Sequence, residues 1–372
     1  MEELNNMFKI QKEIGKKRIG ILRTKNGILK TPFFMPDATR GFVKLTNNDE
    51  LKKAGINAMV VNTFHLYLQP GMVKIKKAKG IHGFMDWKGP LLSDSGGFQV
   101  FSLIHQNPKM GKISDEAASF VSPLNGSKHI LTPEKSIQIQ FDMGVDMMVC
   151  LDDCPPNESN RGDMEKAVNR TIAWARRSKD EYDRQVRKRN LRGKQKPLLF
   201  SVIQGGTEFD MREKCARALI AMDFDGYGFG ARPIDKDGNF LRDILQFTAD
   251  LIPKNRLRFA LGIGKPEDIW KCAAMGWDMF DCVIPTREGR HGRLFSYKTS
   301  TKRYKTENIL NSKFIHDFSP INKKSKIPQL RNYTKACLNH LFKMKEPLGQ
   351  QLVSLNNLEI FTDMMEEIRG GK

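Results

Sequence analysis

The chain lacks any apolar run approaching the ~20 residues needed to cross a bilayer. Its opening stretch, MEELNNMFKIQKEIGKK, has neither the apolar segment nor the small-residue cleavage site of a secretory signal. Low-complexity tracts and fixed-period repeats are also missing. Six cysteines (Cys150, Cys154, Cys215, Cys272, Cys282 and Cys337) are scattered through 372 residues without framework spacing. That pattern argues against a disulfide scaffold and for free thiols in a reducing cytoplasm, with no membrane partner. No GxGxxG follows the first apolar run, which removes the main signal for a dinucleotide-binding fold.

Positive charge is what the chain has in excess. The formal net charge is +20, and it is unevenly placed. Fifteen Lys/Arg face three Asp/Glu between Arg287 and Lys345. A second run comprises Arg184, Arg187, Lys188, Arg189, Arg192, Lys194 and Lys196. Clustered cations attract polyanions, and nucleic acid is the default partner; a merely solvated basic surface is the competing reading. Apolar residues make up 40% of the chain, enough for a substantial core.

Short apolar runs recur at 56–63, 90–94, 146–153, 198–206, 226–230, 258–264 and 278–285. Each is too short for a helix and rich enough in branched or aromatic residues for a buried strand. Amphipathic stretches fall between several of them, at 132–144, 164–185, 209–223 and 265–276. Strands alternating with helices predict parallel βα units, and about seven such units favour a closed (β/α)8 TIM barrel over a doubly wound sheet. The expected division is a catalytic barrel over 1–300 and a basic C-terminal helical subdomain over 301–372.

Asp94, Asp152, Gln204 and Asp281 each sit at or near the end of an apolar run. In a barrel such ends converge on one mouth, where active sites are built. A lone Asp there is as readily a helix cap. Four hydrogen-bonding residues ending four separate strands point instead to one site.

The segment SDSGGFQVFSL (93–103) resembles the signature of tRNA-guanine transglycosylases. TPFFMPDATRGFVK (31–44), VVNTFHLYLQPG (60–71), LTPEKSIQIQ (131–140), LDDCPP (151–156), VIQGG (202–206) and MFDCVIPTREGRHGRLF (279–295) are similar to further blocks of that family, in family order. RNYTKACLNHLF (331–342) and LGQQLVSLNNL (348–358) resemble its C-terminal blocks, so the likeness spans nearly the whole chain. The resemblance implies a pentosyltransferase of tRNA modification, exchanging guanine at the anticodon wobble position for a 7-deazaguanine base such as queuine or a precursor. It implies Asp281 as nucleophile and Asp94 as general acid/base, with Ser95 beside it. Asp152 and Gln204 would contact the base edge, Phe98 would stack on it, and Leu261 and Gly262 would form another pocket wall. Arg287, Arg290 and Arg293, just after the nucleophile, are expected on the tRNA backbone. A homodimer is a further implication.

The sequence departs from that family in two places. Its members carry a zinc site of Cys-x-Cys-x-x-Cys and a later His; here Ser325, Ile327, Leu330 and Asn356 stand at those positions. Hydrocarbon side chains cannot ligate metal, so no zinc is expected. The family's GGLxxGE loop, which reads the base substituent, here runs Gly230, Ala231, Arg232, Pro233, Ile234, Asp235, Lys236. Arg232 and Lys236 disfavour a cationic substituent. Two alternatives stand beside the leading one: the same chemistry on DNA, and a non-catalytic RNA-binding paralogue. Retention of all four polar strand-end residues argues against the second.

Overall fold

The computed structural model describes residues 7–297 and 304–370; the expected domain junction at 300/301 lies outside the described residues. The chain opens with an antiparallel sheet of β1 (Phe8–Ile14), β2 (Lys17–Thr24) and β3 (Gly27–Thr31). Three barrel strands follow, β4 (Phe33–Pro36), β5 (Met59–Val61) and β6 (Leu91–Ser93). A second antiparallel sheet, β7 (Gly111–Ile113), β8 (Ala118–Val121) and β9 (Lys128–Leu131), is inserted next. The barrel resumes with β10 (Met147–Val149), β11 (Leu198–Ile203), β12 (Gly226–Phe229), β13 (Leu257–Ala260) and β14 (Met279–Cys282). A two-stranded ribbon, β15 (Arg293–Tyr297) and β16 (Tyr304–Asn308), comes last.

The eight barrel strands are parallel, in the order β4-β14-β13-β12-β11-β10-β6-β5. A parallel bridge between Asp37 and Val60, with the Ala38 N–H donating to the Val60 carbonyl at 2.7 Å, joins the two ends into a cylinder. This is the expected (β/α)8 architecture. All seven expected strands are present. The eighth, β4, was not anticipated, nor were the small antiparallel sheets.

Alternation along the strands explains why the runs are apolar on both faces. In β4, Phe33 and Met35 join the barrel interior while Phe34 faces the outer layer. The interior is packed by Val60, Leu92, Val149, Phe200, Phe259 and Met279 among others, so it is a core and not a pore. Phe8, Leu22 and Leu29 of the N-terminal sheet extend that cluster and plug its lower end. There Arg18 of β2 forms a buried ion pair with Asp278, just before β14, at 3.0 Å.

Helices lie between the strands where periodicity placed them. The helix Pro133–Met143 starts at Thr132, whose side chain accepts from the Lys135 N–H, and ends at Gly144 in the left-handed region. The stretch expected at 164–185 is the middle of a longer helix, Arg161–Lys188, capped by Asn160. The last helix, Pro347–Ile368, packs against the helix Ile284–Arg290, β15 and β4. Gly289 allows that approach: a Cβ there would lie 2.7 Å from the Ser354 backbone. No helix among the described residues is long and apolar enough to cross a membrane.

Candidate active site

Parallel strands place all their C-terminal ends at one mouth, and a cavity of about 520 Å³ opens there. Asp94, Ser95, Phe98, Asp152, Gln204, Gly230, Ala231, Arg232, Leu261, Gly262, Asp281 and Arg287 all line it. The structure therefore brings together residues spread over nearly two hundred positions of sequence.

Asp94 follows β6 and is held from the β5 side. The Thr63 N–H donates to its Oδ1 at 2.9 Å, the Gly96 N–H at 3.2 Å, and the Asn62 amide makes a short bond to Oδ2. Burial away from bulk water pushes its carboxyl up to about 7, against the Thr63 N–H, and the charge of Asp37 adds to the rise. Asp152 follows β10 and accepts from Gln204 Nε2 at 2.7 Å. Burial raises it to about 7 as well, opposed by that amide. Asp281 lies in β14, where the Gly262 N–H donates to its Oδ1 at 2.9 Å. Burial lifts it to about 7, with Asp37 again adding. Three carboxylates near neutrality around one cavity can exchange protons at physiological pH.

The walls suit a flat heterocycle. Phe98, in the first turn of the helix Gly97–Gln106, is 56% exposed at the rim, unlike the buried phenylalanines of the core. A Cβ on Gly230 would sit 2.4 Å from Gln204 Nε2, so only glycine leaves the amide its place. Ser95 is buried, and its hydroxyl accepts from the Gly97 N–H at 3.2 Å at the helix start.

A second cavity of about 290 Å³ adjoins the first, with Arg40, Lys44, His65 and Arg290 on its walls. Arg287 and Arg290 thus stand at the mouth. Arg293 lines neither cavity; its guanidinium pairs with Glu288 at 3.2 Å.

Sequence reasoning missed several contributors. Asp37, directly after β4, lines both cavities. Gln99 lines the larger one, its Oε1 buried without a partner. The buried Arg212 donates to the carbonyls of Ile203, Gly206 and Gly230 at 2.8–3.0 Å, locking the ends of β11 and β12 together. Asn157 clamps the loop after β12, donating to the carbonyls of Arg232 and Ile234 at 3.0 and 3.1 Å. Helical spacing around Arg212 was visible in sequence; nothing local marked its buried role.

The positions of the family zinc site do not offer a zinc donor set. Ile327 and Leu330 are fully buried in the hydrophobic core, and Asn356 donates to the Phe295 carbonyl at 2.9 Å. The Ser325 hydroxyl donates to Glu359 at 2.5 Å, and the Lys326 N–H donates to the same carboxylate at 2.5 Å. Two of the four side chains are hydrocarbon, so these residues do not fit the metal. Among the described residues no cluster of three His, Cys, Asp or Glu side chains could hold an ion.

A family described as queuine tRNA-ribosyltransferase matches residues 13–371. A queuine tRNA-ribosyltransferase of Halothermothrix orenii is 40% identical over 353 residues, covering 95% of this chain and 89% of its own. One from Rickettsia typhi is 39% identical over 362 residues, covering 97% and 95%.

Proposed function

The chain belongs to the queuine tRNA-ribosyltransferase family, and from that premise we propose a base exchange on tRNA in which Asp281 bonds covalently to the ribose. The enzyme is a pentosyltransferase acting as a tRNA-guanine transglycosylase. Guanine at the wobble position leaves, and a 7-deazaguanine takes its place.

One observation supports this assignment most: Asp94, Asp152, Gln204 and Asp281 surround a single cavity with an aromatic rim. A carboxylate of Asp281 attacks C1′ from one face while the bond to N9 of guanine breaks, passing through an oxocarbenium-like state. Asp94 donates its proton to the departing purine. In the second half the incoming base returns a proton to Asp94, and its nitrogen displaces Asp281 from C1′. Asp152 accepts N–H bonds from the base edge, and the Gln204 amide, which donates to Asp152 and also bonds the Cys154 thiol, exchanges that thiol for the ring carbonyl when the base enters. The target leaves its stack to enter, and Phe98 replaces the lost stacking.

Arg232 lines the cavity from the β12 side, which supports a neutral or anionic 7-substituent over a cationic one. The misfit of the zinc positions supports a chain that folds without zinc. Exposed apolar residues of the C-terminal segment (Leu310, Ile315, Phe318 and Met344) support a homodimer through that region.

Incorporation of labelled guanine into tRNA tests the activity. The wild type should exchange it and Asp281→Asn should not, while still binding tRNA; equal exchange by both would refute the role of Asp281. Competing 7-substituted deazaguanines in the same assay test the pocket, and preference for an aminomethyl base would refute that part.

A further inference from the structure

We propose that Asp37 accepts a hydrogen bond from the ribose 2′-hydroxyl of the target nucleotide and so makes the enzyme selective for RNA over DNA. This rests on the base-exchange reading above.

Asp37 occupies the seam of the cylinder. It follows β4 directly, is bridged to Val60 of β5, and neighbours β14, where Asp281 pairs with Met35. Among the described residues, Asp37 is the only ionisable side chain common to the base cavity and the cationic side cavity. Its Oδ1 accepts from the Thr39 hydroxyl at 2.5 Å, and no described residue donates to Oδ2. Arg40 and Arg290 share the side cavity, yet neither forms an ion pair with it among the described residues.

Although its charge acts on Arg290 and His65, a carboxylate with an unpaired Oδ2 beside a cationic track repels a phosphate backbone unless the ligand supplies a donor. Inside a polynucleotide the 3′ and 5′ oxygens are esterified, so the 2′-hydroxyl is the only O–H donor of the sugar. The N–H donors of the purine edge are met deeper in the cavity by Asp152. With Asp281 directed at C1′, the 2′-oxygen lies only two bonds away, on the neighbouring carbon. The Gly262 loop occupies the β13 side of Asp281, and β4, on the other side, leads directly into Asp37.

Chemistry alone would favour the opposite substrate, because an electron-withdrawing 2′-oxygen makes the glycosidic bond harder to break. A preference for ribose must therefore come from the protein. The test uses two stem-loops with guanosine or 2′-deoxyguanosine at the wobble position, otherwise identical RNA. Exchange of labelled guanine is measured for the full-length wild type, Asp37→Ala and Asp37→Asn.

The wild type should prefer the ribonucleotide by about ten-fold or more in kcat/KM, as fits a charge-assisted hydrogen bond. Asp37→Ala should bring the ratio to parity or below, and Asp37→Asn should reduce it. If Asp37→Ala turns over too slowly for rates, equilibrium binding of the same two stem-loops gives the ratio. An undiminished preference in Asp37→Ala, or none in the wild type, overturns the inference alone. Failure of the wild type to exchange either stem-loop sinks the base-exchange reading and the inference with it.

Discussion

In the proposed exchange Asp281 must be ionised to attack, whereas Asp94 must carry a proton to release the purine. Burial holds both at about 7, so the active form is the pair with one proton in the right place. Below neutrality Asp281 becomes protonated and loses the negative charge that makes it nucleophilic; above it Asp94 loses the proton it must donate. The pH profile of kcat/KM should therefore be bell-shaped with its maximum near neutrality, and a profile flat over about two units either side would contradict these roles. The Asp37 charge raises both carboxyls, so Asp37→Asn should move both limbs toward acid. Asp94, Asp152, Gln204 and Asp281 were legible in sequence because each interrupts an apolar run at its end. Asp37 was not. Flanked by Pro36 and Ala38-Thr39-Arg40, it looks like an ordinary turn residue, and only barrel closure sets it beside Asp281.

Among elements, the segment at Ser325–Leu330 illustrates how a metal-type loop can be held by other means. Buried Ile327 and Leu330 supply apolar contact, and Glu359 ties the Ser325 hydroxyl and the Lys326 N–H to the last helix. Removing that carboxylate leaves buried donors unpaired, so Glu359→Ala should cost about 1–3 kcal/mol of stability, read as a lower Tm. A strong chelator should leave the wild-type Tm unchanged; stoichiometric zinc by metal analysis, or a chelator-induced fall, would contradict this. Strands were easier to read than this loop. Seven of them stand out as unbroken apolar runs because both their faces are buried. β4 escaped notice because only three residues lie between Pro32 and Pro36, and proline ordinarily argues against a central strand. Here the second proline falls at the strand's last residue, where the chain turns into the mouth. The N-terminal sheet escaped for another reason: its residues alternate between the barrel floor and solvent, with many charges and few apolar neighbours in sequence.

For the whole molecule, the net charge of +20 matters through where it meets the mouth. Arg40, Lys44, Arg287 and Arg290 line the two adjoining cavities. If each neutralises a phosphate of single-stranded loop RNA, log K for tRNA should fall with log salt with a slope of about −3. Arg290→Ala should make that slope shallower by about one, and a salt-independent affinity would contradict the electrostatic footprint. The central claim, a transient bond between the protein and ribose, is tested most directly by denaturing the enzyme during turnover with tRNA and a 7-deazaguanine base. Mass spectrometry of the digested adduct should place the RNA on the peptide containing Asp281, with none in Asp281→Asn. Active exchange without any adduct, or an adduct on another residue, would contradict it.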